Sequence, residues 1–259
     1  MIPPALVLQY NKGEHMRRGF LALTALVLFA LPLSAQTADE IVAKYVKAIG
    51  GMDKINALKT IQRSGKFTGG GGFEARLTQE NKRPNMVRED FFIQGMDGVN
   101  AYDGKDAWKI SPFGGRKDPE KTSADEAKAL LEDAEIDGPL IDWKAKGSTV
   151  EYLGMEDVDG TPAHKLRVVR KNGDINYVYL DPDAFLEIRI ITQRMQNGAQ
   201  VENETDLGDY EKINGVFFPF SIEGGPKGST DKQKIIFEKA EANTPVDDTT
   251  FKFPTTVSK

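Results

Sequence analysis

At Lys59 the apolar pattern of this chain switches to a period of two, and few folds tolerate that period over so long a stretch. Leu186-Glu187-Ile188-Arg189-Ile190 alternates apolar and charged residues. Leu166 and Val168 alternate with Lys165 and Arg167, and Ala75 and Leu77 with Glu74, Arg76 and Thr78. Successive strand side chains point to opposite faces, so such runs build a sheet with one face buried and one in water. Asn172-Gly173, Asn197-Gly198 and Asn214-Gly215 punctuate the runs, as do Asp103-Gly104 and Asp159-Gly160. Asn-Gly suits the tight hairpin turn because both central residues need positive φ. The run Gly69–Gly72 reads as a looser hairpin tip. A long antiparallel meander follows, of the sandwich or barrel kind.

Helices are few. Thr37 and Glu40 have capping-box spacing, and Ile41, Val42, Tyr45, Val46 and Ile49 then fall on one helical face before Gly50-Gly51 ends the helix. Met52 to Leu58 reads as a further short helical turn. Ser123 and Glu126 repeat the capping spacing, with Ala127, Leu130, Leu131 and Ala134 as the apolar stripe. Beyond it Leu140, Ile141 and Trp143 serve as apolar anchors after a break at Gly138-Pro139. With no internal repeat and no linker, residues 36–259 read as a single domain.

The amino terminus carries an address. Met16-Arg17-Arg18 is basic, Gly19–Leu31 is almost wholly apolar, and Pro32 precedes Leu33-Ser34-Ala35 and polar Gln36. That order is the one of a cleavable secretory signal over residues 16–35, with the cut expected after Ala35 and Met16 as the natural start. The apolar run falls short of the roughly 20 residues a membrane span needs. The chain holds no cysteine. Disulfides are therefore excluded, and so is a lipid on an amino-terminal cysteine. The expected product is periplasmic, released and monomeric.

The formal net charge is −5, and residues 1–35 carry three of the basic groups and only one acid, so the remainder is more acidic still. That gives no electrostatic footprint for nucleic acid. Catalytic equipment is sparse. Beyond residue 35 the one histidine is His164, on the strand face of Leu166 and Val168, where a hydrogen-bonded, partly buried ring is the expected role. No paired-histidine spacing exists for zinc. Asp157–Gly160 and Asp181-Pro182-Asp183 lack the full calcium-loop series and read as turns. No metal and no cofactor is expected. Acidic residues are plentiful, but no spacing singles out a carboxylate pair for hydrolysis.

What the chain does supply is large apolar groups. Phe91, Phe92 and Ile93 share one strand and Trp108 and Ile110 another; Tyr177 and Tyr179 share a face, as do Leu186, Ile188 and Ile190. Most should be core. If the helices at 38–49 and 123–134 plug a half-closed sheet, part of the lining faces a cavity able to hold a hydrophobic ligand. The candidates are Phe91, Ile93, Trp108, Leu130, Leu131, Leu140, Trp143, Tyr177, Tyr179, Ile188 and Ile190.

Several stretches resemble the outer-membrane lipoprotein-sorting, LolA-like proteins. They are Ala48-Ile49-Gly50-Gly51 with Leu58-Lys59-Thr60-Ile61, then Tyr102–Trp108, Gly154–Asp181 with Tyr177-Val178-Tyr179-Leu180-Asp181, and Asn214-Gly215-Val216-Phe217-Phe218-Pro219. Each is short and structural. The resemblance implies a mostly β, α+β fold: a large antiparallel, incompletely closed barrel with an amino-terminal and an inserted helix as plug or lid. It further implies a carrier for the acyl chains of lipoproteins, in which a strand arginine locks the lid. Arg76 and Arg88 are candidates that no motif aligns. The same fold serves sensors and receptors, but the absent cysteine disfavours an anchored receptor. The leading expectation is a binding protein for lipoprotein acyl chains or another lipid-like ligand. The alternatives are an envelope protein-interaction or lipoprotein-sensing module and, further off, a hydrolase, which two carboxylates facing each other in a cleft would revive.

Overall fold

A computed structural model describes residues 36–111 and 116–254 of the chain. The proposed signal at 16–35 lies outside the described residues. Among those described, no helix is long and apolar enough to cross a membrane.

Helix α1 (Ala38–Ile49) starts with the expected capping box, Thr37 and Glu40 each satisfying the other's backbone N–H. It buries Ile41, Val42, Tyr45 and Ile49. Each such side chain contributes about 1.5–3 kcal/mol when removed from water. Gly50 ends the helix with φ 137° and lies so close to the 214–215 turn that a Cβ would sit 2.6 Å from the Gly215 carbonyl. Helix α2 (Met52–Ala57) follows, and then the sheet begins.

The strands are β1 (Thr60–Thr68), β2 (Glu74–Lys82), β3 (Met86–Ile93), β4 (Met96–Tyr102), β5 (Ala107–Ile110) and β6 (Glu120–Lys121). After helix α3 (Ala124–Asp133) come β7 (Thr149–Val158), β8 (Thr161–Val169), β9 (Ile175–Leu180), β10 (Glu187–Gln196), β11 (Ala199–Ile213), β12 (Val216–Pro226) and β13 (Gln233–Ala242). They form one antiparallel sheet in the order β6-β5-β4-β3-β2-β1-β13-β12-β11-β10-β9-β8-β7. The sheet is a meander joined end to end by β1 and β13, and β6 and β7 remain edges, so it does not close into a barrel.

The turns obey the chemistry of their residues. Asn197-Gly198, Asn214-Gly215 and Asp159-Gly160 all have positive φ at both central positions, as the tight right-twisted hairpin requires. Gln94-Gly95 does the same without the usual Asn or Asp.

The main core lies on the inner face, between the sheet and α1 with the 136–143 segment. It contains Ile41, Tyr45, Leu58, Leu140, Ile141, Leu166, Val178 and Phe237. A second cluster joins α3 to the sheet through Ala127, Leu130 and Ala134 against Val87, Tyr102 and Ala107. On the outer face, the 3₁₀ turn Asp248–Phe251 covers β3–β5. There Trp108 is buried, donates its Nε1–H to the Phe251 carbonyl at 2.8 Å and meets the Phe253 ring edge-on.

One parity expectation fails. Leu186, Ile188 and Ile190 do not share a face: Leu186 and Ile190 pack on the main core, and Ile188 packs with Tyr177, Tyr179 and Ile191 on the outer side. The register slips between Glu187 and Arg189, and such a bulge resets which way side chains point.

Candidate functional site: a banded inner face beneath helix α3

Strand register places the inner-face residues of β1–β6 in three bands. The middle band is polar. Arg63 stands opposite Gln79, Gln79 opposite Glu89, Glu89 opposite Asn100, Asn100 opposite Lys109 and Lys109 opposite Glu120. The Arg63 guanidinium donates to Gln79 Oε1. Gln79 Nε2 donates to Glu89 at 2.8 Å, and Asn100 Nδ2 donates to the other Glu89 oxygen at 3.4 Å. Cross-strand polar pairs of this kind satisfy groups that would be costly to bury alone.

On one side of this ladder lies the apolar band Val87, Tyr102 and Ala107, which α3 covers. On the other side lies a second apolar band, Leu77 opposite Phe91 and Phe67 opposite Ala75, with Ile93 beyond. Among the described residues no helix covers this band. It lines a chamber of about 390 Å³, bounded by Phe67, Phe73, Ala75, Leu77, Phe91, Ile93 and Ile235. Small-molecule sites span roughly 300–1,000 Å³, so the chamber is a small member of that class. Phe73 stands at its rim, 42% exposed and 5.7 Å from the Phe67 ring. The Phe91 ring lies directly over Gly98, where a Cβ would come within 2.0 Å of it. Glycine at that position lets the ring lie flat on the wall.

Asp133, the last residue of α3, overhangs the ladder. It borders the apolar chamber and also an adjoining polar chamber of about 250 Å³. Glu89 and Ile235 border both spaces as well. The polar chamber extends past Arg63, Gln79 and Asn81 to Tyr45, Glu187, Tyr210 and the Phe217-Phe218-Pro219 stretch. Along this wall β12 and β13 pair only from Ser221 to Gly224, so Phe217–Phe220 have no ladder partner on β13.

The electrostatics are unusual for an interior. The Asp133 carboxyl is pushed up from its ordinary value, by desolvation first and then by repulsion from Glu89 and Glu132, with Arg63 and Arg194 opposing. The side chain is exposed to solvent where the two cavities meet. Among the described residues its carboxyl has no hydrogen-bond partner, although its backbone carbonyl accepts from Asn81 at 2.6 Å. Burial also pushes Glu187 up to about 7, against a hydrogen bond from Tyr45. Arg63 is lowered to about 10 by desolvation and lies 4.3 Å from the Phe237 ring centre.

Helix α3 bridges the two halves of the sheet. Its apolar side packs on β3–β5, while Arg194 of β10 pairs with Glu132 at 2.6 Å and Asn197 donates its backbone N–H to Asp125 at 3.1 Å. The segment after it is pinned by Arg170 and Lys146 on Glu135 and by Arg83 on Asp137. Arg83 also donates to the Leu58 and Ile55 carbonyls. These contacts make α3 and the 135–148 segment a cover held across the curl of the sheet.

The expected cavity residues divide. Phe91 and Ile93 line the apolar chamber. Leu130 is on the buried side of α3 against the sheet, Leu140 is fully buried in the main core, and Trp143 and Ile190 pack against that core. Leu131 points away from the sheet and is 39% exposed. Trp108, Tyr177, Tyr179 and Ile188 lie on the outer face instead. The arginine candidates lie outside too: Arg76 rests over Phe92, and Arg88 pairs with Asp90 and donates to the Thr250 carbonyl. Arg63 of β1 and Arg194 of β10 are the strand arginines that reach the inner face, toward Gln79 and toward Glu132 of α3. His164 is buried as expected, 2.8 Å from the Tyr152 hydroxyl and stacked on Phe185. Among the described residues no cluster of three metal-ligating side chains occurs.

No family model matches the chain, and no curated protein matches it. Solved structures do. One is a DUF1329 family protein from Desulfovibrio piger, 12% identical, with a TM-score of 0.58 over 84% of this chain and 98% of that one. A second is a LolA superfamily protein from Nitrosomonas europaea, 13% identical, TM-score 0.56, covering 84% and 98%. The fold is LolA-like. A putative outer membrane lipoprotein-sorting protein domain from Vibrio parahaemolyticus agrees at 12% identity and TM-score 0.54, over 82% and 94%. The shared LolA-like architecture is a mostly β, unclosed antiparallel sheet with few helices, as the resemblance in the sequence implied.

Proposed function

We propose that this protein is a non-catalytic carrier of an acylated or similarly lipid-like ligand, exported to the periplasm and acting in outer-membrane lipoprotein sorting. The observation that carries this reading is the apolar chamber of about 390 Å³ on the inner face, flanked by a helix that only partly covers the sheet. An apolar space of that size gains from desolvating an alkyl chain at roughly 25 cal/mol per Å² buried. The cover supplied by α3 is held mainly by ion pairs and one small apolar cluster, which suits a part that must open to load. The LolA-like fold supports the same direction, as does the signal-like segment 16–35.

The test is native mass spectrometry of protein gently purified from the periplasm and then offered fatty acids and acylated peptide. A retained or acquired acylated species at one-to-one stoichiometry is the expected result. Protein that never takes up such a ligand, where a known carrier does, contradicts the reading.

A second reading draws on Glu89 and Asp133, two carboxyl groups that border one cleft. Asp133, whose carboxyl is pushed up from its ordinary value, and Glu89 would then serve as acid and base in hydrolysis. Turnover of chromogenic glycosides or esters that disappears in Asp133→Asn would favour it over the carrier.

A further inference from the structure

We infer that the ligand held by this cavity is an amphiphile whose head carries a protonated amine, bound where the polar chamber meets the apolar one at Asp133 and Glu89. The inference rests on the carrier reading for its apolar half and adds the chemistry of the head.

Three observations carry it. First, the two chambers adjoin. Asp133, Glu89 and Ile235 border both, so a tail lying between Phe67, Leu77 and Phe91 delivers its head to these carboxyls. Second, acidic groups outnumber basic ones on this wall. Glu132 is matched by Arg194, Glu135 by Arg170 and Lys146, and Asp137 by Arg83. That leaves Asp133, Glu89 and Glu187 on the chamber wall with Arg63 as the one basic residue lining it. The Arg63 guanidinium is already engaged, donating to Gln79 and lying over Phe237. Third, the unfilled hydrogen-bonding capacity is mostly for donors. Oε1 of Glu187 is buried on this wall without a partner, as is Oε1 of Glu132. Arg63 Nε is the unpartnered donor on the same wall.

An ammonium group offers three donors and one positive charge, which is what this wall lacks. An anionic head would meet Glu89 at close range and is disfavoured by repulsion.

The experiment compares three probes with the same tail, dodecylammonium, dodecanol and dodecanoate, by isothermal titration calorimetry on the full chain from residue 36 onward. Dodecylammonium should bind at least about tenfold more tightly than dodecanol, and dodecanoate most weakly. Asp133→Asn and, separately, Glu89→Gln should each shrink the ammonium-to-dodecanol ratio by about tenfold. Glu238→Gln, on an exposed side chain paired with Lys66, should not change it. Circular dichroism checks that each variant is folded, and the two inner-face variants stand in for each other if one is not. Equal affinities for all three probes, or a preference for dodecanoate, overturn the amine head and leave the apolar chamber standing. No binding of any probe overturns both.

Discussion

Glu187 offers a sharp test of how the polar chamber is built. Its carboxyl is buried beside Tyr45, one oxygen lacks any partner, and desolvation lifts it from the ordinary 4.5 to about 7. At 1.36 kcal/mol per pKa unit that difference corresponds to about 3 kcal/mol. The folded-state pKa is raised, so the folded protein holds this proton more tightly than the unfolded chain does. Below the unfolded value both states are protonated and the residue costs nothing through its charge. Between 4.5 and about 7 stability falls as pH rises, and above about 7 the full cost is present. Glu187→Gln removes that titration while keeping the shape and the acceptor for Tyr45. Its new amide N–H groups sit near the atom that had no partner, which adds a fixed penalty of about 1–3 kcal/mol at every pH. The diagnostic quantity is therefore the change in the variant-minus-wild-type difference. Urea unfolding at about pH 4 and about pH 9 should show the variant gaining on wild type by about 3 kcal/mol across that range. Asp133 titrates in both proteins and cancels. A difference that stays flat with pH would mean that Glu187 reaches water, and the buried polar chamber would have to be abandoned.

Further expectations follow from particular contacts. Gly98→Ala puts a methyl group where the Phe91 ring lies, so the ring must swing into the apolar chamber; acyl-probe fluorescence should show affinity down by about tenfold, and unchanged affinity would remove Phe91 from the wall. Arg83→Ala strands Asp137, which is largely buried, and frees the Leu58 and Ile55 carbonyls, so urea unfolding should show a loss of about 3–5 kcal/mol. Leu140→Ala, at a fully buried core site, should cost about 2–5 kcal/mol in the same assay. Amino-terminal sequencing of the exported protein should begin at Gln36, and a product that retains residues 16–35 would deny the signal reading.

Much of the fold was legible from local chemistry. The capping boxes at Thr37–Glu40 and Ser123–Glu126 mark both long helices because they satisfy otherwise orphaned N–H groups. Asn-Gly pairs locate hairpins for an equally local reason. Gln94-Gly95 escaped notice because glutamine carries no preference for positive φ, and only the strands on either side impose it. The site was much less legible. Period two tells which residues share a face, but not which face is inner. Trp108 looked like lining and proved to be the seat of the 3₁₀ turn Asp248–Phe251, a contact between segments over a hundred residues apart. The bulge at Glu187–Arg189 turned Ile188 outward and Glu187 toward the chamber. The polar ladder from Arg63 to Glu120 depends on the register of six strands at once. No short stretch of sequence holds that information. What could have flagged it is the run of polar residues, Gln79, Glu89 and Asn100, at positions whose parity matches Leu77, Phe91 and Gly98.

The central claim is that an alkyl chain lies on the uncovered apolar band of β1–β3. Photolabelling with a fatty acid carrying a diazirine near its methyl end, followed by peptide mapping, tests it most directly. Label confined to peptides containing Phe67, Leu77, Phe91 and Ile93, and suppressed by Gly98→Ala, is the expected result. Label concentrated instead on outer-face peptides around Trp108 or Tyr177–Tyr179 would contradict the account.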